Sequence, residues 1–224
     1  MCHTRPVSAD RYLPLFPLGQ VHFPEVPLQL RLFEPRYLTL LEDLLALPEP
    51  ERTFGVVAIR VGQEVGDQPT DLFRVGCAVR LVDVADGLNH ARITAMGLWR
   101  FRITEFLDDP QVPYRTASVE RLSDPSGAPE AALHEAAAQV RNALFEYAAA
   151  MGGRIPEIEA EPAQLAYAVA GAFPLPVATR QALLEEPSTY RRLVSLVKLL
   201  RRETDLVHNT GTVAYQPPPD QSLN

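Results

Sequence analysis

The sequence predicts an α+β fold, in which a β-rich lobe at residues 1–122 precedes a lobe of four helices at residues 130–208. Up to residue 122, apolar residues alternate with polar ones or cluster with β-branched residues, as they do in strands. Beyond residue 130 they recur at spacings of three and four, which is typical of amphipathic helices. Between the lobes, residues 123–129 (SDPSGAP) are dense in turn-forming residues and are predicted to be a linker.

The β-rich lobe is predicted to contain five strands and one helix. The predicted strands cover residues 28–32, 53–61, 73–84, 89–103 and 115–122. Asp86-Gly87 suits a tight turn between the third and fourth strands, and Gly97 is predicted to mark a bulge. The helix is predicted over residues 35–47, because Pro35 suits a first helical turn and Pro48 ends the pattern.

The second lobe is predicted to be built from four helices. Three of them cover residues 133–151, 164–173 and 177–184, and the fourth follows Ser188, which is predicted to be its N-cap. Residues 209–224 contain too few apolar residues to pack, so this tail is predicted to be disordered.

Composition and charge exclude several classes of protein. The chain has 224 residues, 46% of them hydrophobic, and a net charge of −7 at pH 7, so binding to nucleic-acid phosphates is not its expected role. No run of 18 apolar residues is present, and the first residues contain no apolar signal segment. The sequence therefore predicts a cytoplasmic protein that does not span a membrane.

The sequence contains no motif that carries catalysis. It has no phosphate-binding glycine loop, no nucleophile elbow and no pair of histidines at metal-ligand spacing, and its two cysteines cannot form a four-ligand zinc site. Cys77 is expected to be a small buried hydrophobe. Ser195 and Lys198 are three residues apart on the last helix, but a Ser–Lys nucleophile needs a desolvated lysine, and the polar pattern favours a solvated face. We therefore predict no catalytic residue, no cofactor and no metal.

Arginines and aromatic residues alternate in the β-rich lobe. This pattern makes an RNA-binding surface one possible interpretation of the sheet. The residues concerned are Arg74, Arg80, Arg92, Arg100, Arg102, Trp99, Phe101 and Phe106. Some sheets stack single-stranded RNA on such residues. Ordinary strand alternation, with the arginines in solvent and the aromatic rings in the core, explains the pattern equally. The balance of 13 basic against 16 acidic residues in this lobe favours the second explanation.

A series of short motifs is more distinctive than any of these features. They occur in the order LPLFPLG (13–19), VHFP (21–24), FEPRY (33–37), FGVV (54–57), VGCA (75–78), GLWRFRI (97–103) and FPLPV (173–177). This order resembles the N-terminal substrate-binding domain of the Lon protease family, over roughly residues 12–205. Glu25 stands where a glycine is common in that family, so the turn after Pro24 is expected to differ in its backbone.

The resemblance implies both a fold and a function. It implies a PUA-like β pseudo-barrel with a C-terminal helical bundle, acting as a non-catalytic module that recognises unfolded or partner polypeptides, with a protease as one candidate partner. The chain ends where the family's proteases continue into an ATPase and a peptidase, so we expect a stand-alone domain without proteolytic activity. The alternatives are a PUA-like module that binds a small ligand or RNA, and an enzyme of unrecognised type. The oligomeric state stays open.

The motifs also provide candidate contacts for a polypeptide, in a groove of the β-rich lobe or at its boundary with the helices. The candidates are Phe16, Leu18, Phe23, Pro24, Phe33, Glu34, Arg36 and Tyr37. Apolar residues in such motifs usually belong to a core, so closing the barrel is the favoured role of the apolar members of this set. The sequence does not separate core residues from groove residues.

Overall fold

The structure is a computed structural model that describes residues 12–62, 71–87, 90–107, 110–153 and 158–210. The chain divides into two compact units, with the boundary between Leu122 and Ser123. The first unit contains β1 (Tyr12–Leu18), β2 (Pro27–Leu32), α1 (Pro35–Leu45), β3 (Thr53–Val61), β4 (Asp71–Leu72), β5 (Val75–Gly87), β6 (His90–Leu107) and β7 (Thr116–Arg121). The second contains α2 (Glu130–Ala150), α3 (Pro162–Ala172), α4 (Val177–Glu185) and α5 (Thr189–Thr210).

The first unit is a mostly antiparallel sheet whose pairings form a ring. β1 pairs with β7, β7 with β6, β6 with β5, and β5 with β3. β3 then pairs with β1 in parallel, so the pairings return to the strand where they began. The predicted strand at 53–61 is confirmed, whereas β1 was not predicted. Pro14 and Pro17 lack backbone donors, and β1 tolerates them because β7 pairs with its first half and β3 with its second half.

A three-stranded arm extends from this ring. Residues 81–87 of β5 pair with the first part of β6, and β2 pairs with the other edge of β6. The inner face of the arm packs with α1 and with part of β1 and β3 in one apolar cluster. Its members include Phe16, Leu30, Tyr37, Leu41, Leu44, Val79, Leu81 and Ile93. Helix α1 therefore lies against the arm through its buried stripe, as its apolar spacing predicted.

The predicted bulge at Gly97 is confirmed. Ala78 pairs with Trp99 and Val79 with Gly97, so Leu98 is the extra residue in β6. Gly97 also holds the segment before β2 through two hydrogen bonds. Its N–H donates to the Val26 carbonyl oxygen (3.0 Å), and its own carbonyl accepts from the Glu25 N–H (2.9 Å).

Glu25 itself has a φ of 59°, in the left-handed region that favours glycine. We expect Glu25→Gly to raise the free energy of unfolding by about 0.5 to 1 kcal/mol, because relief of the strain exceeds the extra entropy of glycine in the unfolded chain. Urea denaturation of the two proteins measures the difference. Glu25→Ala is the control, since it removes the carboxylate and keeps Cβ. Equal stability of the glycine and alanine variants would contradict the argument.

The second unit begins with a stretch that packs against α5. Residues 123–129, predicted as a linker, carry no helix or strand, but the Pro125 carbonyl accepts from the Thr189 N–H (3.1 Å) and that of Ser126 from the Tyr190 N–H (3.0 Å). The predicted N-cap is confirmed, because Ser188 Oγ accepts from the Arg191 N–H (3.3 Å). Of the predicted tail, residues 209–210 belong to α5, and residues 211–224 lie outside the described part of the chain.

A buried arginine joins the start of this unit to three of its elements. The Arg192 side chain is fully buried, and its Nη2 donates to Asp124 Oδ1 (2.9 Å) and to the Glu186 carbonyl oxygen (2.7 Å). Its Nε donates to the Leu183 carbonyl oxygen (3.1 Å). The Tyr167 hydroxyl donates to the same Asp124 oxygen (2.5 Å), and its ring lies 4.2 Å from the guanidinium carbon. The Arg192 side chain, which belongs to α5, thus contacts Asp124, Tyr167 of α3 and the end of α4.

Candidate functional site

Most of the residues expected to contact a polypeptide are buried. Phe16, Leu18, Phe23 and Tyr37 are at most 3% exposed, and Pro24 is buried as well. Glu34 and Arg36 are partly buried. Phe33 differs from the others, because 36% of it is exposed at the end of β2. A partner can therefore reach Phe33 directly, whereas the four apolar residues first named contribute to the core.

The residues from Phe33 to Tyr37 form a compact cluster at the start of α1. Arg36 makes an ion pair with Glu34, and the side chains of both are about one-eighth exposed. The Arg36 guanidinium lies over the Tyr37 ring (5.1 Å), and Tyr37 packs on Phe16 with ring centroids 4.2 Å apart. The Glu34 carbonyl accepts from the Tyr37 and Leu38 N–H groups, so the cluster also fixes the first turn of the helix. Its geometry is that of a structural anchor.

A groove of about 520 Å³ lies at the edge of the arm. It is lined by Leu45, Glu49, Pro50 and Arg52 on one side, and by residues 80–84 of β5 on the other. Two of its apolar side chains are unusually open to solvent, since Val82 is 60% exposed and Leu45 is 41% exposed. The Arg52 side chain donates to the Leu45 and Leu47 carbonyl oxygens and so covers the end of α1 at this wall.

The exposure of Val82 results from a bulge that the sequence analysis did not predict. Leu81 pairs with Ala95 and Asp83 with Thr94, so Val82 has no partner in the register. Because of this extra residue, Leu81 faces the core while both Val82 and Asp83 are exposed. From Val79 to Val84, apolar and polar residues alternate except at the pair Leu81-Val82. No glycine marks this pair as the position of a bulge.

A shallower depression of about 290 Å³ lies on the outer face of the same arm. Arg31 and Arg92, both exposed, stand directly opposite each other in the pairing of β2 with β6. Asp83 and Ala85 of β5 also line this depression. Like charges in directly opposed positions destabilise a sheet. Within the described residues no carboxylate forms an ion pair with Arg31, Arg80 or Arg92, so this face retains unneutralised positive charge.

The arginine-rich pattern does not form one continuous surface. Arg100 is fully buried, whereas Arg80, which precedes the arm in β5, and Arg92, on the arm, are exposed. The aromatic rings belong to a second apolar cluster, which contains Phe101 and has Trp99 and Phe106 packed against it. Their faces are already occupied, because Arg121 lies over Trp99, and Arg74 and Arg115 lie over Phe106. Strand alternation thus explains the pattern better than a base-stacking platform.

A Ser–Lys pair and a cluster of metal ligands are both absent from the part of the chain that the structure describes. Lys198 is exposed on α5, and no hydrogen bond connects it to Ser195 there. Cys77 is fully buried, as predicted. No three residues among the described histidines, cysteines, aspartates and glutamates cluster as metal ligands, and Cys2 and His3 lie outside those residues.

None of the described helices combines the length and the apolar character needed to cross a bilayer.

Comparison with known proteins identifies the family. The family described as the ATP-dependent protease La (LON) substrate-binding domain matches residues 12–202. The chain belongs to this family. Lon protease 1 of Herpetosiphon aurantiacus is 29% identical over 210 residues, and Lon protease 4 of Sorangium cellulosum is 31% identical over 201 residues. These alignments cover 87% and 86% of this chain but 24% of each relative, so the chain spans about a quarter of their length.

Solved structures agree with this assignment. The Lon N-terminal domain protein from Xanthomonas campestris superimposes with a TM-score of 0.60 at 26% identity, covering 84% of this chain and 97% of that one. The N-terminal domain of the Mycobacterium avium complex Lon protease gives a TM-score of 0.64 at 14% identity, covering 85% and 98%, and shows the same fold. The Lon substrate-binding domain is non-catalytic, and the ATPase and protease modules of the family lie outside the matched region.

Proposed function

We propose that this Lon-type domain recognises polypeptides by binding exposed segments of unfolded or partner proteins, without catalysing a reaction itself. The observation that carries the proposal is the match of residues 12–202 to the Lon substrate-binding family. The ring of strand pairings supports a PUA-like pseudo-barrel for the first unit, and α2 to α5 support a helical bundle for the second. A protease is the proposed partner to which the bound segment passes.

The groove at the edge of the arm supports the same function physically. Leu45 and Val82 expose apolar surface that gains free energy when it is buried, at roughly 25 cal/mol per Å². Charged residues at its margin, among them Glu49 and Arg80, keep the groove hydrated when it is empty. Phe33, the exposed member of the motif residues, is the second proposed apolar contact.

Binding is measured by fluorescence anisotropy with a labelled polypeptide kept unfolded by reduction and carboxymethylation. We expect micromolar affinity, on the order of −8 kcal/mol. The double variant Leu45→Ser with Val82→Ser should raise Kd on the order of five- to tenfold, because it removes apolar area from the groove.

Val61→Ser is the matched control, because Val61 is 61% exposed in β3 and does not line the groove. This variant should leave Kd unchanged, and circular dichroism should show that all the variants are folded. No binding of the unfolded polypeptide at high protein concentration would overturn the proposed function. An equal loss of affinity in the Val61 variant would show that the groove is not the site.

A further inference from the structure

We propose that the free edge of β2 accepts an extended polypeptide segment as an added strand, with an acidic side chain opposite Arg31 and an apolar side chain, two residues away, opposite Phe33. The inference rests on the proposed function and specifies how the segment next to Phe33 is held. Strand addition is a recurring mode of peptide recognition, in which main-chain hydrogen bonds provide affinity and alternate side chains provide specificity.

β2 forms one edge of the arm. Its six residues pair with β6 alone, and no other backbone hydrogen bond joins residues 27–32 to the described part of the chain. In an antiparallel pair, every second residue exchanges its N–H and C=O with the neighbouring strand, so the other residues direct these groups outward. Pro27 lacks an N–H, but the five residues after it keep theirs. A further strand can therefore form hydrogen bonds along this edge.

The edge strand itself carries the charge that selects the occupant. Arg31 is exposed, and the residue directly opposite it in β6 is the exposed Arg92. Neither arginine has an ion-pair partner in the described part of the chain. Asp83 pairs with Thr94, which stands opposite Gln29, so β6 separates this carboxylate from the free edge. An acidic side chain opposite Arg31 would offset the repulsion between the two arginines, and a basic one would add to it.

Phe33 adds an apolar position on the same face. Every second residue from 27 to 33 is exposed, and the leucines between them are buried. Phe33 lies two residues beyond Arg31 and is 36% exposed. Because side chains of a strand alternate between its faces, the residue opposite Phe33 stands two positions from the residue opposite Arg31. The recognised segment therefore carries an acidic and an apolar residue with one residue between them.

The test uses fluorescein-labelled peptides of about nine residues, within the usual length of a strand, with the whole chain as receptor. The parent peptide has the central order leucine–threonine–glutamate–threonine–leucine, so a leucine lies two residues from the glutamate in either direction of the added strand. A second peptide carries lysine in place of the glutamate, and a third carries serine in place of both leucines.

Two further versions of the parent peptide test the main-chain hydrogen bonds. One carries N-methyl groups on the threonine amides, and the other carries them on the leucine and glutamate amides. Methylation removes a donor without changing a side chain, and an added strand directs only one of these two sets of amides toward β2. One version should therefore lose at least about tenfold in affinity, and the other should bind as the parent does.

The acidic position is tested by reversing the charge of Arg31. Fluorescence anisotropy should show that the parent peptide binds on the order of fivefold more tightly than the lysine peptide. Arg31→Glu should reduce this preference to less than about twofold, and the variant should fold because its carboxylate stands opposite Arg92. Arg201→Glu is the control, because it makes the same charge change at an exposed position of α5 and should keep the preference.

The apolar position is tested at Phe33. Phe33→Ser should weaken binding of the parent peptide on the order of fivefold, because apolar surface is no longer buried there. It should leave the affinity of the serine peptide unchanged. Val61→Ser is again the control and should change neither affinity, and circular dichroism should show that all the variants are folded.

Three results would overturn the inference while the proposed function stands. The first is a parent peptide that shows no saturable binding below about 1 mM although the unfolded polypeptide binds, which would mean that Arg31 only protects the edge. The others are equal affinity of the two methylated versions and a preference for glutamate that survives in Arg31→Glu. If the unfolded polypeptide itself does not bind, the proposed function fails and the inference fails with it.

Discussion

Replacing Arg192 with methionine is expected to lower the free energy of unfolding of the second unit by about 3 to 5 kcal/mol. Methionine fills much of the space of the arginine stem but donates no hydrogen bond. The variant removes the guanidinium donor that Arg192 offers to Asp124 and to the Leu183 and Glu186 carbonyl oxygens. Buried groups that lose a hydrogen-bond partner pay a desolvation cost, and the Arg192 side chain is fully buried where it meets these oxygens.

Urea denaturation followed by far-ultraviolet circular dichroism measures this loss, since the helical signal reports mainly on the second unit. Arg191→Met is the matched control, because Arg191 is the preceding residue on α5 and is exposed. Its effect should stay within about 0.5 kcal/mol, as is usual for surface positions. A loss below about 1 kcal/mol in the Arg192 variant would contradict the argument, because it would mean that the buried network contributes little.

Gly97→Ala is expected to destabilise the first unit by about 2 to 3 kcal/mol. A Cβ at this position would lie 2.2 Å from the Phe23 carbonyl oxygen and 3.0 Å from Pro24 Cα. Both are backbone atoms, so no change of rotamer relieves the contact. The segment from residue 21 to 26 must then move away from β6, which breaks its two hydrogen bonds to Gly97 and opens the pocket of the buried Phe23.

The fluorescence of Trp99, the single tryptophan, reports unfolding of this unit. Gly153→Ala is the control, because a Cβ there would meet its nearest neighbour, the Ala148 carbonyl oxygen, at an ordinary 3.7 Å. We expect that variant to leave the Trp99 transition unchanged. If Gly97→Ala unfolds at the same urea concentration as the parent protein, the close approach of the two backbones is not a constraint.

The motif residues and the groove residues differ in how strongly the sequence marks them. The motif residues Phe16, Phe23 and Tyr37 carry the family resemblance because they build the core, and their burial removes them from direct contact with a partner. Sequence patterns mark such residues clearly, since a core constrains size and apolar character. The groove residues Leu45 and Val82 belong to no motif. They line the same groove because a helix end and a bulge meet in space, which no local pattern encodes.

By itself, the sequence determined five of the seven described strands, the positions of the five α-helices, the family and the absence of a recognisable catalytic motif. These properties follow from local periodicity, capping residues and short motifs, all of which act over a few neighbouring positions. The tertiary structure alone decided that β1 is a strand shared between β3 and β7, that Arg192 is buried, and that a bulge in β5 exposes Val82. Each of these depends on contacts between distant residues, and such contacts override local preference.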